Sequence, residues 1–206
     1  MAQILADLKS RGLVFQATNE NLDKHFLLET CPVYCGFDPT SASLHIGSLL
    51  PILGLMRFQR AGFRPIILLG GATGLIGDPS GKSSERKLLT KEEIEANGKA
   101  IKNQFRRFLD FDKGKCSALI VDNSNWFARY FFVDFLRDIG KHFSIGNILA
   151  KESVKNRLEA GVSFTEFSYI LMQAYDFLYL FDTLGCRIQL GGQDPVSYTH
   201  LTLPTN

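Results

Sequence analysis

The chain lacks the motifs of metal-dependent and triad-type hydrolases. It has no H-E-x-x-H sequence, no Ser-His-Asp order and no C-x-x-C pair, and its four histidines are spread along the chain. We expect no protein-built metal site. The cysteines lie in apolar or strand-like runs, which predicts buried thiols in a reducing compartment: Cys31, Cys35, Cys116 and Cys186.

Long apolar runs and a strong net charge are also missing. No stretch is long enough to span a bilayer, and residues 1–12 predict a short amphipathic helix rather than a signal or transit peptide. A net charge of +2 does not by itself indicate a nucleic-acid partner. With 206 residues, 45% of them apolar, the chain suits one α/β domain better than two small ones.

Apolar strand patterns alternate with helical patterns along the chain. We predict strands at residues 33–37, 65–69, 118–121 and 186–190, and helices at 45–61, 90 to about 109, 131–139, 150–158 and 163 to about 184. The capping boxes Thr90/Glu93 and Ser163/Glu166 mark two helix starts. Because a helix links successive strands, the strands are expected to pair in parallel.

The segment from Tyr34 to Ser48, YCGFDPTSASLHIGS, runs from a strand through a turn into a helix that His45 opens. The first N–H groups of a helix have no partner inside it, and the helix dipole adds partial positive charge there. Such a helix start favours phosphate. Nucleotide chemistry is therefore the leading hypothesis, with His45 and Gly47 beside the site.

A glycine-rich segment at residues 70–89 follows the second strand and predicts a long exposed loop close to a ligand. In it, Asp78 is placed either to hold a substrate ammonium group or to bond its own turn. Lys82 and Arg86 suit a leaving pyrophosphate, or are solvated charges. GDPSGKS resembles a Walker A loop, but with three residues between its glycines where that pattern has four.

The last helix is nearly all apolar and carries a polar face of Tyr169, Gln173 and Asp176. A buried carboxylate needs hydrogen-bond donors. Either neighbouring side chains or a ligand hydroxyl or amine must therefore satisfy Asp176.

Several motifs in order give the chain a family resemblance: YCGFDPT, LHIGS, GGATGLIGDPSGK, GKHFS, SFTEFSYILMQAYDF and QLGGQD. Together they resemble the catalytic domain of bacterial-type tyrosyl-tRNA synthetases, which are class I aminoacyl-tRNA synthetases. The resemblance implies a Rossmann-like parallel sheet with helices on both faces over residues 1–194. It leaves residues 195–206 as an unrelated or disordered tail, and neither a KMSKS-type loop nor an anticodon-binding region is expected in this chain.

The same resemblance implies a tyrosine–tRNA ligase. Such an enzyme joins L-tyrosine and ATP to form tyrosyl-adenylate, and then passes the tyrosyl group to tRNA(Tyr). Mg²⁺ enters the site with the ATP. A cytoplasmic homodimer without a membrane segment is expected. Since the substrate carboxylate attacks the α-phosphorus itself, catalysis rests on positioning and charge stabilisation.

Site residues follow from the resemblance residue by residue. The tyrosine site would comprise Tyr34 and Asp176 at the phenol, Asp78, Tyr169 and Gln173 at the ammonium group, and Gln189. The ATP site would comprise Cys35, Gly36, Asp38, Gly47, Gly192 and Asp194, with catalytic assistance from Thr40, His45, Ser48, Lys82 and Arg86. Ser48 stands where the family's motif usually has a histidine.

Two other functions stay open. The Lys82 loop also fits a nucleotide-binding ATPase, although its glycine spacing is short for one. A non-catalytic RNA-binding or dimerisation module is the other alternative. The outward-facing Lys99, Lys102 and Arg106 suit RNA phosphate, although such stripes are more often the solvated side of a helix.

Overall fold

The structure is a computed structural model that describes residues 4–18, 31–77, 88–149, 161 and 163–191. Its strands are β1 (Pro32–Phe37), β2 (Arg64–Leu69), β3 (Leu119–Asp122) and β4 (Ile188–Leu190). Its α-helices are α1 (Ile4–Ser10), α2 (Ile46–Arg60), α3 (Thr73–Ile76), α4 (Lys91–Phe105), α5 (Ser124–Phe127), α6 (Phe132–Asp138), α7 (Ile145–Leu149) and α8 (Phe164–Leu184). Short 3₁₀ turns lie at Gly114–Cys116 and Gly140–His142.

The four strands form one parallel sheet in the order β3-β2-β1-β4, which confirms the predicted pairing. Strands β2 and β3 are added to the sheet on one side of β1, and β4 is added on its other side. The strand order therefore reverses at β1. Sheets of this kind bind ligands at the carboxyl ends of the strands where the order reverses. The register there sets Tyr34 of β1 beside Gln189 of β4.

Helices cover both faces of the sheet, as predicted. On one face α1, α2 and α4 pack against alternate strand residues such as Val33 and Ile67. On the other face α5 and α8 pack against Tyr34 and Ile66. Because β2 is central and covered on both sides, it is buried from Pro65 to Leu69, which explains its unbroken apolar sequence.

Helix α4 begins at the predicted capping box. The Thr90 hydroxyl accepts the N–H of Glu93 at 3.2 Å, and the Glu93 carboxylate accepts the N–H of Thr90 at 2.8 Å. Ile94, Ile101 and Phe105 are buried. The helix ends at Phe105, earlier than the predicted end near residue 109. After Phe105 the chain forms a hydrogen-bonded turn instead of a further turn of α-helix.

The prediction of an exposed loop is wrong for residues 70–77. They form helix α3 and its flanking turns, and Gly70, Thr73, Gly74 and Gly77 are buried. The N–H of Gly74 bonds the Gly70 carbonyl and that of Gly77 bonds the Thr73 carbonyl, so burial leaves these backbone groups satisfied. Residues 78–87, and the helix predicted at 150–158, lie outside the described residues.

All four cysteines fall within the described part of the chain and are thiols. Cys35 and Cys186 are buried, and burial raises the pKa of each thiol to about 12. Cys31 and Cys116 are half-buried. None of the described helices combines the length and apolar character that crossing a bilayer requires.

Candidate active site

Asp176 on α8 is a buried carboxylate, with 2% of its surface exposed. Its Oδ2 accepts the side-chain N–H of Asn123 at 3.0 Å, and its Oδ1 accepts the indole N–H of Trp126 at 2.8 Å. Neighbouring side chains therefore satisfy the carboxylate, which was one of the two alternatives left open by the sequence. Both donors follow the carboxyl end of β3.

Burial raises the pKa of Asp176 to about 8. The two hydrogen bonds from Asn123 and Trp126 act in the opposite direction, since they favour the ionised form. The nearby carboxylates of Asp38 and Asp122 raise the pKa further. Burial thus makes Asp176 a weaker acid than an exposed aspartate.

Asp38 lies just after β1 and bonds two hydroxyl groups. Its Oδ1 accepts the Thr73 hydroxyl at 2.8 Å, and its Oδ2 accepts the Tyr169 hydroxyl at 3.0 Å. The structure thus brings together Asp38, which was predicted to bind ATP, and Tyr169, which was predicted to bind the substrate ammonium group.

One continuous series of hydrogen bonds joins these two carboxylates, because the Asn123 side-chain N–H also donates to the Thr73 hydroxyl oxygen at 3.0 Å. We call the six connected residues the polar chain: Tyr169, Asp38, Thr73, Asn123, Asp176 and Trp126. Its members come from the carboxyl ends of β1 and β3, from α3 and α5, and from α8. It therefore lies at the sheet edge where ligands of this fold bind.

Two glycines at the end of β2 make room for the carboxylates. A Cβ on Gly70 would collide with Oδ1 of Asp38 and the Thr73 hydroxyl, and a Cβ on Gly71 would collide with Oδ1 of Asp122. Gly36 on β1 is different, since no described atom lies within 4 Å of where its Cβ would be. Among the described residues, nothing fills the space above Gly36.

The start of α2 is built as the sequence predicted. His45 is the N-cap residue, and its Nδ1 accepts the N–H of Gly47 at 3.0 Å. A Cβ on Gly47 would lie 2.8 Å from Cε1 of His45, so a larger residue here would displace the imidazole from the cap. Ser48 is buried, and its N–H donates to the His45 carbonyl at 2.9 Å.

Two side chains of α4 hold the loop between Asp38 and His45. Asn97 donates to the Pro39 carbonyl at 3.0 Å. Gln104 accepts the N–H of Leu44 at 3.1 Å and donates to the Ala42 carbonyl at 3.2 Å. Helix α4 therefore holds both the beginning and the end of the loop that leads into α2.

The other predicted residues divide into three groups. Tyr34 is buried on the α8 side of the sheet, with its ring 5.4 Å from that of Phe177, and Cys35 is buried among the residues of the opposite face. Gly36, Thr40 and Gln189 are exposed and Gln173 is half-buried. Five residues lie outside the described part of the chain: Asp78, Lys82, Arg86, Gly192 and Asp194.

Sequence reasoning missed three members of the polar chain, namely Thr73, Asn123 and Trp126. A signal for Asn123 was present, because it comes directly after a buried strand whose carboxyl end had to lie at the ligand-binding edge. Thr73 gives no such signal, since the glycine-rich sequence around it predicts an exposed loop.

A cavity of about 340 Å³ lies along β3, and its lining includes Lys102, Asp122, Trp126 and Tyr179. It contains none of the residues predicted to bind tyrosine or ATP. Among the residues described, no three His, Cys, Asp or Glu side chains are grouped as ligands of a metal ion. The candidate site is therefore defined by the polar chain and the reversal point between β1 and β4.

Comparison with known proteins agrees with this architecture. The tyrosine–tRNA ligase of Bacillus caldotenax is 57% identical over 192 residues, which are 93% of this chain and 46% of that protein. That of Roseiflexus castenholzii is 54% identical over 196 residues, 94% of this chain and 46% of that protein. The chain thus spans about half the length of these curated relatives.

A solved structure shares the fold. The C-terminally truncated mitochondrial tyrosyl-tRNA synthetase of Aspergillus nidulans superposes with a TM-score of 0.84 at 31% identity, covering 94% of this chain and 57% of that one. A family model described as tRNA synthetases class I (W and Y) matches residues 29–203. The chain therefore belongs to the class I tRNA synthetases of the tryptophan and tyrosine group.

Proposed function

We propose that this chain is part of the catalytic domain of a tyrosine–tRNA ligase, which activates L-tyrosine with ATP and transfers the tyrosyl group to tRNA(Tyr). The observation that carries the proposal is the buried Asp176 carboxylate, held at the ligand-binding edge by Asn123 and Trp126. The identity of more than half of the aligned residues with two tyrosine–tRNA ligases supports it.

In the tyrosine subsite, Asp176 and Tyr34 bind the phenolic hydroxyl. Tyr169, Gln173 and Asp78 surround the ammonium group, and Gln189 completes the pocket beside β1. Phenylalanine would bring no hydroxyl to Asp176, so the buried polar groups would lose a partner that tyrosine supplies. This difference provides the selectivity.

In the ATP subsite, the phosphates lie at the start of α2, where Gly47 brings the backbone close and the positive end of the helix dipole favours anions. The residues around the nucleotide are Cys35, Gly36, Asp38, Gly192 and Asp194. Mg²⁺ arrives as the ATP complex. The tyrosine carboxylate attacks the α-phosphorus, and pyrophosphate leaves.

Catalysis then depends on charge placed around the two substrates. Thr40, His45 and Ser48 contact the triphosphate from the α2 side, and Lys82 and Arg86 stabilise the departing pyrophosphate. Ser48 offers a hydroxyl where an imidazole is usual. A hydroxyl can hydrogen-bond phosphate oxygen but cannot carry positive charge.

A binding experiment tests the tyrosine proposal. The chain should be stabilised against heat by tyrosine and by a tyrosyl-adenylate analogue but not by phenylalanine, and Asp176→Ala should remove the response to tyrosine. Stabilisation by ATP or GTP alone would instead favour the nucleotide-binding ATPase. Binding of tRNA without any response to tyrosine would favour the RNA-binding module.

We assign residues 1–194 to the catalytic domain and residues 195–206 to an unrelated tail. The family match extends to residue 203, so the boundary has a direct test. Deleting residues 195–206 should leave tyrosine binding unchanged. A loss of binding would put part of the tail inside the domain.

We also propose that the protein is a cytoplasmic homodimer. The starts of α6, α7 and α8 expose large apolar side chains, each between 64% and 80% exposed: Phe131, Phe132, Val133, Ile145 and Phe164. Residues of the same three helices share one apolar cluster. Exposed apolar groups concentrated on neighbouring elements are typical of a protein interface.

Sedimentation equilibrium tests the dimer. The chain should sediment as a dimer and Phe164→Glu as a monomer, because the new charge would be buried in the interface. Phe15→Glu, at an exposed phenylalanine near α1, is the matched control and should remain dimeric. A monomeric unmodified chain would end the proposal.

A further inference from the structure

Thr73 joins the two halves of the polar chain. It lies at the start of α3 with 3% of its surface exposed. Its hydroxyl contacts the Asp38 carboxylate at 2.8 Å on one side and the Asn123 side chain at 3.0 Å on the other. Among the described residues, Thr73 alone hydrogen-bonds both Asp38 and Asn123 through its side chain.

The direction of each hydrogen bond follows from the Asn123 amide. Its Oδ1 accepts the N–H of Ala72 at 2.8 Å, so its Nδ2 is turned toward the rest of the polar chain. The two N–H groups on Nδ2 then donate to Thr73 and to Asp176, at 3.0 Å each. The Asn123 amide thus has every hydrogen-bonding group engaged.

The hydroxyl proton of Thr73 is consequently directed at Asp38. Because the Thr73 oxygen accepts from Asn123, its own O–H donates to Oδ1 of Asp38, while the Tyr169 hydroxyl donates to Oδ2. These two donors, one on each oxygen, hold the Asp38 side chain in one orientation.

We infer that Thr73 is a positioning residue of the tyrosine site, because its hydroxyl fixes the Asp38 carboxylate and, through Asn123, the Asp176 carboxylate. The inference rests on the proposed function, since it assigns Asp176 to the phenol of tyrosine. Thr73 does not touch the substrate. It acts by keeping one N–H of Asn123 occupied so that the other stays on Asp176.

Removing the hydroxyl alone tests this role. Thr73→Val has nearly the same shape but leaves an Asn123 N–H without its acceptor and Asp38 without one donor. We expect tyrosine to bind about 10- to 100-fold more weakly. Phenylalanine has no hydroxyl for Asp176 and loses only the support that Asp38 gives Tyr169 at the ammonium group. It should therefore be weakened less than tyrosine, so the preference for tyrosine over phenylalanine falls. A purely structural defect would weaken both ligands alike.

Two further variants complete the experiment, in which equilibrium binding of tyrosine and phenylalanine is measured with the full chain. Thr73→Ser keeps the hydroxyl and should restore the preference for tyrosine. Thr183→Val removes a hydroxyl that bonds the Tyr179 carbonyl, at an exposed position of α8 outside the polar chain, and should not change the preference.

The outcomes separate the inference from the proposed function. If the unmodified chain shows no preference for tyrosine, the proposed function fails and the inference with it. If that preference is present and Thr73→Val retains it, only the inference fails. If Thr73→Val does not fold, NMR of the unmodified chain provides a second test. Both side-chain amide protons of Asn123 should exchange slowly with solvent. Rapid exchange of either proton would overturn the inference.

Discussion

Replacing Asn123 by alanine should destabilise the fold severely, although the residue lies at the end of a short strand. Asn123 has 0% of its surface exposed. Its side chain accepts from Ala72 and donates to Thr73 and Asp176. Alanine keeps none of these three hydrogen bonds, and the space is too enclosed for its partners to find bulk water.

The magnitude follows from the groups left behind. A buried donor or acceptor without its partner costs about 1–3 kcal/mol, and the substitution orphans the Ala72 N–H and weakens the support of a buried carboxylate. We expect the free energy of unfolding to fall by roughly 3–5 kcal/mol, a large share of the 5–15 kcal/mol typical of a domain. The corresponding decrease in Tm is on the order of 10 °C.

Urea denaturation followed by circular dichroism measures this change. Asn103→Ala is the matched control, because Asn103 is exposed on α4 and should change the unfolding free energy by less than about 0.5 kcal/mol. A decrease below about 1 kcal/mol for Asn123→Ala would refute the polar chain as a tightly satisfied network.

Three other predictions concern stability. Because the pKa of Asp176 is raised from 3.8 to about 8, the folded state holds an extra proton between these values. The unfolding free energy should therefore fall by about 1.4 kcal/mol per pH unit as pH rises through this window. Denaturation measured at a series of pH values should show a flatter profile for Asp176→Asn. Gly47→Ala should displace the His45 imidazole and cost about 1 kcal/mol in thermal unfolding through loss of the cap. Thr90→Ala should cost a similar amount, about 1 kcal/mol, by removing the capping box of α4, whereas Thr90→Ser should retain most of that stability.

The parallel sheet was predictable because its causes are local. An unbroken apolar run marks β2 as covered on both faces, and the order of strand, helix and strand forces parallel pairing. The α2 start was predictable for the same reason, since His45 and Gly47 form a cap within three residues of chain. The spacing of Tyr169, Gln173 and Asp176 likewise defines one face of a helix.

The partners of those polar residues were not predictable. Asn123 and Trp126 meet Asp176 only because β3 ends beside α8, a contact across about fifty residues of chain. The glycines of residues 70–77 predict an exposed loop, because glycine favours loops locally. Packing of α3 against the polar chain reversed that preference, as tertiary contacts often do.

The glycine pair at the end of β2 restricts how this site can be redesigned. With no room for a methyl group beside Asp38 or Asp122, a library that varies Gly70 or Gly71 would consist mainly of misfolded proteins. New amino-acid preferences would have to be selected by varying α8 and the end of β3, whose side chains meet at Asp176.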